Sequence, residues 1–76
     1  MNEVLADTSG WANYFVRSEP FHTDAEKLMR KWHTNGVRVI TTNYVMIELV
    51  ALFTSPLRIP RVKQIKVIET IKAVVG

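Results

Sequence analysis

Seventy-six residues hold one small domain and no more, of a size that buries only a modest share of its surface. The 47% apolar content argues for a packed core rather than disorder, and the lack of cysteine removes both a disulfide framework and a thiolate zinc site. The net charge of +3 is uneven: Arg58, Arg61, Lys63, Lys66 and Lys72 face only Glu69 in residues 57–76, whereas residues 1–56 are nearly balanced. Such a basic segment attracts phosphate or is simply solvated.

In chain order, Val4-Leu5-Ala6 is a short apolar run without helical period, ending at Asp7-Thr8-Ser9-Gly10. A buried parallel strand reads this way, followed by residues that cap or turn. Trp11, Ala12, Tyr14 and Phe15 fit a short helix closed by Ser18-Glu19-Pro20. Thr23-Asp24-Ala25-Glu26 fits a capping box, opening a helix with Ala25, Leu28, Met29 and Trp32 on one face and Asn35-Gly36 as its left-handed stop. Residues 37–41 (Val-Arg-Val-Ile-Thr) form a second strand. Two strands separated by helices imply a parallel sheet.

Thr42 or Asn43 caps the next helix, Tyr44 to about Thr54, which Ser55-Pro56 ends. Pro60 suits the first turn of a last helix, with Val62, Ile65, Ile68, Ile71 and Val75 as its inward stripe and Arg61, Lys63, Lys66 and Lys72 mostly outward. The order is β-α-α-β-α-α, an α/β class. The longest apolar runs, Tyr44–Phe53 and Val4–Ala6, are too short or interrupted to span a bilayer. The opening Met-Asn-Glu lacks the basic start and apolar stretch of a secretory signal, so a cytoplasmic protein is expected.

Two acids carry the chemical interest. Glu48 is the only charge between Tyr44 and Phe53, on a helix apolar on nearly all sides and therefore expected to be buried. A carboxylate there needs a partner: a cation, a salt bridge to Arg38 or Arg58, or a wet seam. Asp7 ends an apolar strand and precedes a helix, where parallel α/β sheets place ligands. It either caps that helix or joins Glu48 around a hard cation such as Mg²⁺ or Mn²⁺, which relieves the repulsion between two acids; the two roles are compatible. His22 and His33 lack the i, i+4 relation of a metal-binding pair and suit helix ends. Gly10, Gly36 and Gly76 are isolated, so no phosphate-cradling loop is present. Trp11 and Trp32 read as core rather than as stacking platforms.

Asp7-Thr8-Ser9 at the end of the first strand resembles the opening motif of PIN domains. The run Thr42-Asn43-Tyr44-Val45-Met46-Ile47-Glu48-Leu49 resembles their second motif, a polar cap leading into an apolar helix with one Glu. Element order and the Asp-to-Glu interval agree, and the nearest likeness is to the VapC-like toxin ribonucleases of toxin–antitoxin pairs. The resemblance covers residues 1–76 as the N-terminal half of a PIN-like domain, a parallel sheet flanked by helices.

What it implies is metal-dependent endoribonuclease activity: phosphodiester hydrolysis of RNA with Mg²⁺ (or Mn²⁺) held by Asp7 and Glu48 as the first and second acids. Thr8 and Ser9 would make supporting contacts around them, and Arg61, Lys63 and Lys66 are candidates for RNA contact. The family uses three or four acids, and Glu69 matches none of its motifs, so the resemblance implies poor activity for this chain alone. It also implies an open edge along the first strand and exposed apolar area, expected to pair with a second copy, a complementing chain or an antitoxin. The alternative is a non-catalytic, degenerate PIN half that serves dimerisation or partner binding; a nucleic-acid-binding domain using the Arg61–Lys72 helix is a third reading.

Overall fold

Strand β1 (Glu3–Leu5) takes in Val4 and Leu5 of the apolar run and pairs in parallel with β2 (Arg38–Ile40), Val4 lying opposite Val39. A further bond from the Ala6 amide to the Ile40 carbonyl at 2.9 Å carries the pairing one residue past the strand. This computed structural model describes residues 2–75. Parallel neighbours need a crossover, and here it consists of two helices, α1 (Thr8–Phe15) and α2 (His22–Thr34); after β2 come α3 (Asn43–Thr54) and α4 (Arg61–Val75). The expected order β-α-α-β-α-α is therefore found, as a two-stranded parallel sheet with four helices among the described residues.

Helix α1 starts as soon as β1 releases the chain, because the Asp7 side chain accepts the Gly10 amide at 2.8 Å and satisfies a first-turn donor. It ends at Val16, before Ser18-Glu19-Pro20. Helix α2 departs from expectation at its start. Thr23 and Glu26 do not form a capping box; the helix begins at His22, and Phe21 at the cap position offers no side-chain bond. The end is tied instead to α1: Asn13 Oδ1 accepts the Phe21 amide at 3.1 Å, and His22 Nδ1 lies 2.8 Å from the Asn13 carbonyl. Glu26 is engaged one turn along, 3.3 Å from His22 Nε2. Gly36, at φ +68°, ends α2's turn in the left-handed conformation that glycine tolerates best.

Thr42 caps α3 through its hydroxyl, which accepts the Val45 amide at 3.1 Å. After α3 the chain turns back, with the amides of Leu57 and Ile59 donating to the carbonyls of Leu52 and Phe53. The Pro60 carbonyl then accepts the amides of Lys63 and Gln64 as α4 begins.

The core is Trp11 and Ala12 from α1, Val39 from β2, Val45, Leu49 and Phe53 from α3, and Ile71 from α4. Trp11 stacks on Phe15 with centroids 6.0 Å apart, and its indole N–H donates to Thr41 Oγ1 at 3.2 Å. Helix α2 buries no residue fully; Ala25, Met29 and Trp32 are half-covered, while Leu28, expected on the same face, is exposed. The inward stripe expected of α4 is also corrected: Val62 is 68% and Ile65 50% exposed, and the covered side is Val67, Ile68, Ile71 and Val75. Every member of the expected stripe sits at an allowable helical spacing. The rotation of the helix is set by its packing on α3 and β2, and it brings Ile71 into the core with Val67 and Val75 against it. None of the described helices is long and apolar enough to cross a membrane.

Candidate functional site

The β1–α1 junction places Asp7 at the carboxyl end of the strand, where open α/β sheets hold ligands. Asp7 is exposed and serves as the cap of α1. The capping reading is thus correct, and it occupies only Oδ1. Its neighbour Thr8, the first residue of the helix, reaches across to α3 and donates its hydroxyl to Glu48 Oε1 at 2.9 Å. The side chain adjacent to Asp7 in the chain therefore holds the second acid, forty residues away in sequence.

Glu48 differs from its expected setting. It is exposed, on the side of α3 turned away from Val45, Leu49 and Phe53, because α1 covers only part of the helix and the apolar residues around Glu48, Tyr44 and Ile47, are exposed too. Its partner is Thr8 rather than Arg38 or Arg58: Arg38 pairs with Glu3 at 3.7 Å, and among the described residues Glu48 makes no ion pair. Charge at this position is tolerated because water reaches it: of the settings open to Glu48, the wet seam is found and the salt bridge to Arg38 or Arg58 is not.

The geometry at this end of the molecule is held by residues that composition alone does not single out. Thr41, just after β2, accepts the Trp11 indole and donates to the Ala6 carbonyl at 3.3 Å. One hydroxyl thus fastens the ends of both strands to the first turn of α1, next to Asp7. Gly10 has a steric role: a Cβ there would meet Asp7 Oδ1 at 3.2 Å, so any larger residue pushes against the capping carboxylate. The signal for Thr41 is its place as the first polar residue after an apolar strand. Nothing in the residue pattern marked Gly10.

Ser9 is exposed; its carbonyl accepts the Asn13 side chain at 2.8 Å, and among the described hydrogen bonds its hydroxyl reaches neither acid. Of the expected supporting residues, Thr8 is joined to the site and Ser9 is not. The basic residues of α4 are all exposed, but they do not form one strip. Arg61 and Lys72 line a cleft between α3 and α4, while Lys63 lies on another side of the helix beside Phe53, Ile59 and Val67.

Chemically, Asp7, Thr8 and Glu48 offer two carboxylates and a hydroxyl, all oxygen, with Thr8 the link between the α1 start and Glu48. Each carboxylate has one oxygen engaged within the protein, and both residues are exposed. Hard divalent ions such as Mg²⁺ and Mn²⁺ accept such donors and complete their shells with water, so the residues present fit that class of ion. The positive end of the α1 dipole, next to Asp7, favours negative charge at the same place. Among the described residues no cluster of three or more His, Asp or Glu side chains forms; the set has two acids. Compared with protein-family models, with curated proteins and with solved structures, the chain finds no match.

Proposed function

We propose that the chain is the N-terminal half of a PIN-like, metal-dependent endoribonuclease of the toxin type, with Asp7 and Glu48 as the first two acids of its metal site. The observation that carries this reading is the Thr8–Glu48 hydrogen bond, which links the α3 acid to the strand end where Asp7 stands. A divalent ion bound there supplies polarisation of a phosphoryl oxygen and a more acidic attacking water. The chain's own contribution is to fix two ligands: the Gly10 amide orients Asp7, and the Thr8 hydroxyl orients Glu48. RNA is the substrate in this reading, Mg²⁺ or Mn²⁺ the cofactor, and an antitoxin or a complementing chain the partner.

With two acids in place, Mg²⁺ is held weakly until substrate phosphate adds oxygens. The isolated chain is accordingly expected to cut end-labelled RNA slowly or not at all in Mg²⁺, with any residual cut lost in EDTA and in Asp7→Asn. Cleavage that persists in both Asp7→Asn and Glu48→Gln contradicts the assignment. A non-catalytic interaction module is the second reading, favoured by the exposed Tyr44, Ile47, Val50, Val62 and Ile65 on α3 and α4. Calorimetric titration with Mn²⁺ separates the two, since only the nuclease reading requires an ion whose binding fails when either acid is neutralised.

A further inference from the structure

At the end of α1 away from Asp7 lies a pocket of about 340 Å³, within the size range of small-molecule sites. Its apolar lining is Phe15, Val16, Ile59 and Val67, together with the fully buried Phe53. The backbone of two of these residues is already engaged. The Val16 amide donates to the Ala12 carbonyl at 2.9 Å and its carbonyl accepts the Glu19 amide at 3.0 Å. The Ile59 amide donates to the Phe53 carbonyl at 2.6 Å and its carbonyl accepts Gln64 Nε2 at 2.8 Å. The rest of the lining is Arg17 and Lys63, both exposed. None of the chain's seven acids lines the pocket, and among the described residues neither cation enters an ion pair. Arg17, just past α1, offsets the negative end of that helix's dipole. Lys63 has no such reason: it is the third residue of α4, where the positive end of the dipole disfavours a cation. Two like charges at one apolar pocket repel, and a bound anion relieves that repulsion.

We infer that this pocket binds a small amphiphile with one anionic head and a hydrocarbon body, of the medium-chain carboxylate class. The apolar lining covers the body, while Arg17 and Lys63 supply charge and N–H donors to the carboxylate. The lining disfavours a nucleotide, because its other side chains offer no partner to ribose hydroxyls or base edges, and burying such groups unpaired is costly. The inference stands apart from the metal site: the eight residues of α1 put roughly 12 Å between Asp7 and the end of the helix where the pocket lies.

The test titrates octanoate, octanol, octylamine and butyrate, each below its aggregation concentration, into the isotopically labelled full chain and follows amide shifts. Octanoate is expected to give saturating shifts at Val16, Arg17, Ile59 and Lys63 and to bind about fivefold or more tightly than octanol, with the gap closing as salt rises. Octylamine and butyrate should both bind more weakly than octanoate, one lacking the anion and the other the hydrocarbon. Arg17→Gln with Lys63→Gln, both at exposed sites, should bring octanoate down to the affinity of octanol, with octanol binding and circular dichroism unchanged. Asp7→Asn should alter neither. Equal affinity for octanoate and octanol, butyrate binding as tightly as octanoate, a preference that survives the double glutamine variant, or shifts mapping to the α3–α4 cleft overturns the inference. Inorganic phosphate or a short RNA that moves the same amides as strongly as octanoate overturns it in favour of phosphate contact. Co-sedimentation with anionic phospholipid vesicles, with no octanoate binding, overturns it in favour of a membrane surface.

Discussion

Trp11→Phe probes the joint on which the Asp7 end of the molecule depends. Trp11 is fully buried, stacks on Phe15 and donates to Thr41 Oγ1, which in turn donates to the Ala6 carbonyl. Phenylalanine keeps the apolar contact with Phe15 but removes the indole N–H and leaves a void of roughly 40 Å³, worth about 1 kcal/mol at the cavity coefficient. The lost hydrogen bond adds about 1 kcal/mol, and the apolar area no longer covered adds a few tenths to about 1 kcal/mol. The expected loss is therefore about 2–3 kcal/mol, a large part of the total stability of a domain this small. It should appear as a Tm lower by about 10–20 °C and as a shift of the urea midpoint at unchanged slope.

A double-mutant cycle with Thr41→Val isolates the bond, and a coupling of about 0.5–1.5 kcal/mol is expected. A single-mutant loss under about 1 kcal/mol, or strict additivity in the cycle, refutes the claim that this indole fastens α1 to the strand ends.

Three further outcomes follow from single residues. Gly36 sits at φ +68° with open space where a Cβ would stand. Gly36→Ala should therefore cost about 1 kcal/mol from backbone strain alone, read by urea denaturation, and a neutral result would mean that the turn relaxes. Gly10→Ala trades better helix propensity, about 1 kcal/mol, against crowding of the Asp7 carboxylate at 3.2 Å. Stability should change little, whereas the Asp7 side-chain carboxyl resonance should move; an unmoved resonance denies glycine its steric role. Thr8→Val removes the hydroxyl that holds Glu48. Because that bond is exposed, stability should fall by less than about 1 kcal/mol, while Mn²⁺ affinity measured by calorimetry should drop several-fold; unchanged affinity would show that Thr8 does not position the ligand.

The strands announced themselves because Val4-Leu5 and Val39-Ile40 are short apolar runs bounded by polar residues, and Thr42 and Gly36 announced helix limits because capping and positive φ select few residue types. The start of α2 was hidden because its tether is tertiary: Asn13, on the preceding helix, takes the Phe21 amide, and no local pattern encodes that. The stripe of α4 was misplaced for a related reason. Val62, Ile65, Val67, Ile68, Ile71 and Val75 populate more than one face, and only the packing of α4 on α3 and β2 decides which is covered. At the candidate site, Asp7 and Glu48 stood out as lone acids in apolar surroundings, while the exposure of Glu48 was one of several settings its neighbours allowed. Helix composition alone cannot tell a helix enclosed on all sides from one whose outer face is bare.

The central claim is that Asp7 and Glu48 serve one ion, and paramagnetic broadening by Mn²⁺ tests it most directly. Substoichiometric Mn²⁺ added to the isotopically labelled chain should broaden the amides of Asp7 to Gly10 and the side-chain carboxyl of Glu48 together. Both effects should disappear in Asp7→Asn and, separately, in Glu48→Gln. Broadening of one acid without the other, or broadening that persists in either variant, would mean that the two carboxylates do not share a cation.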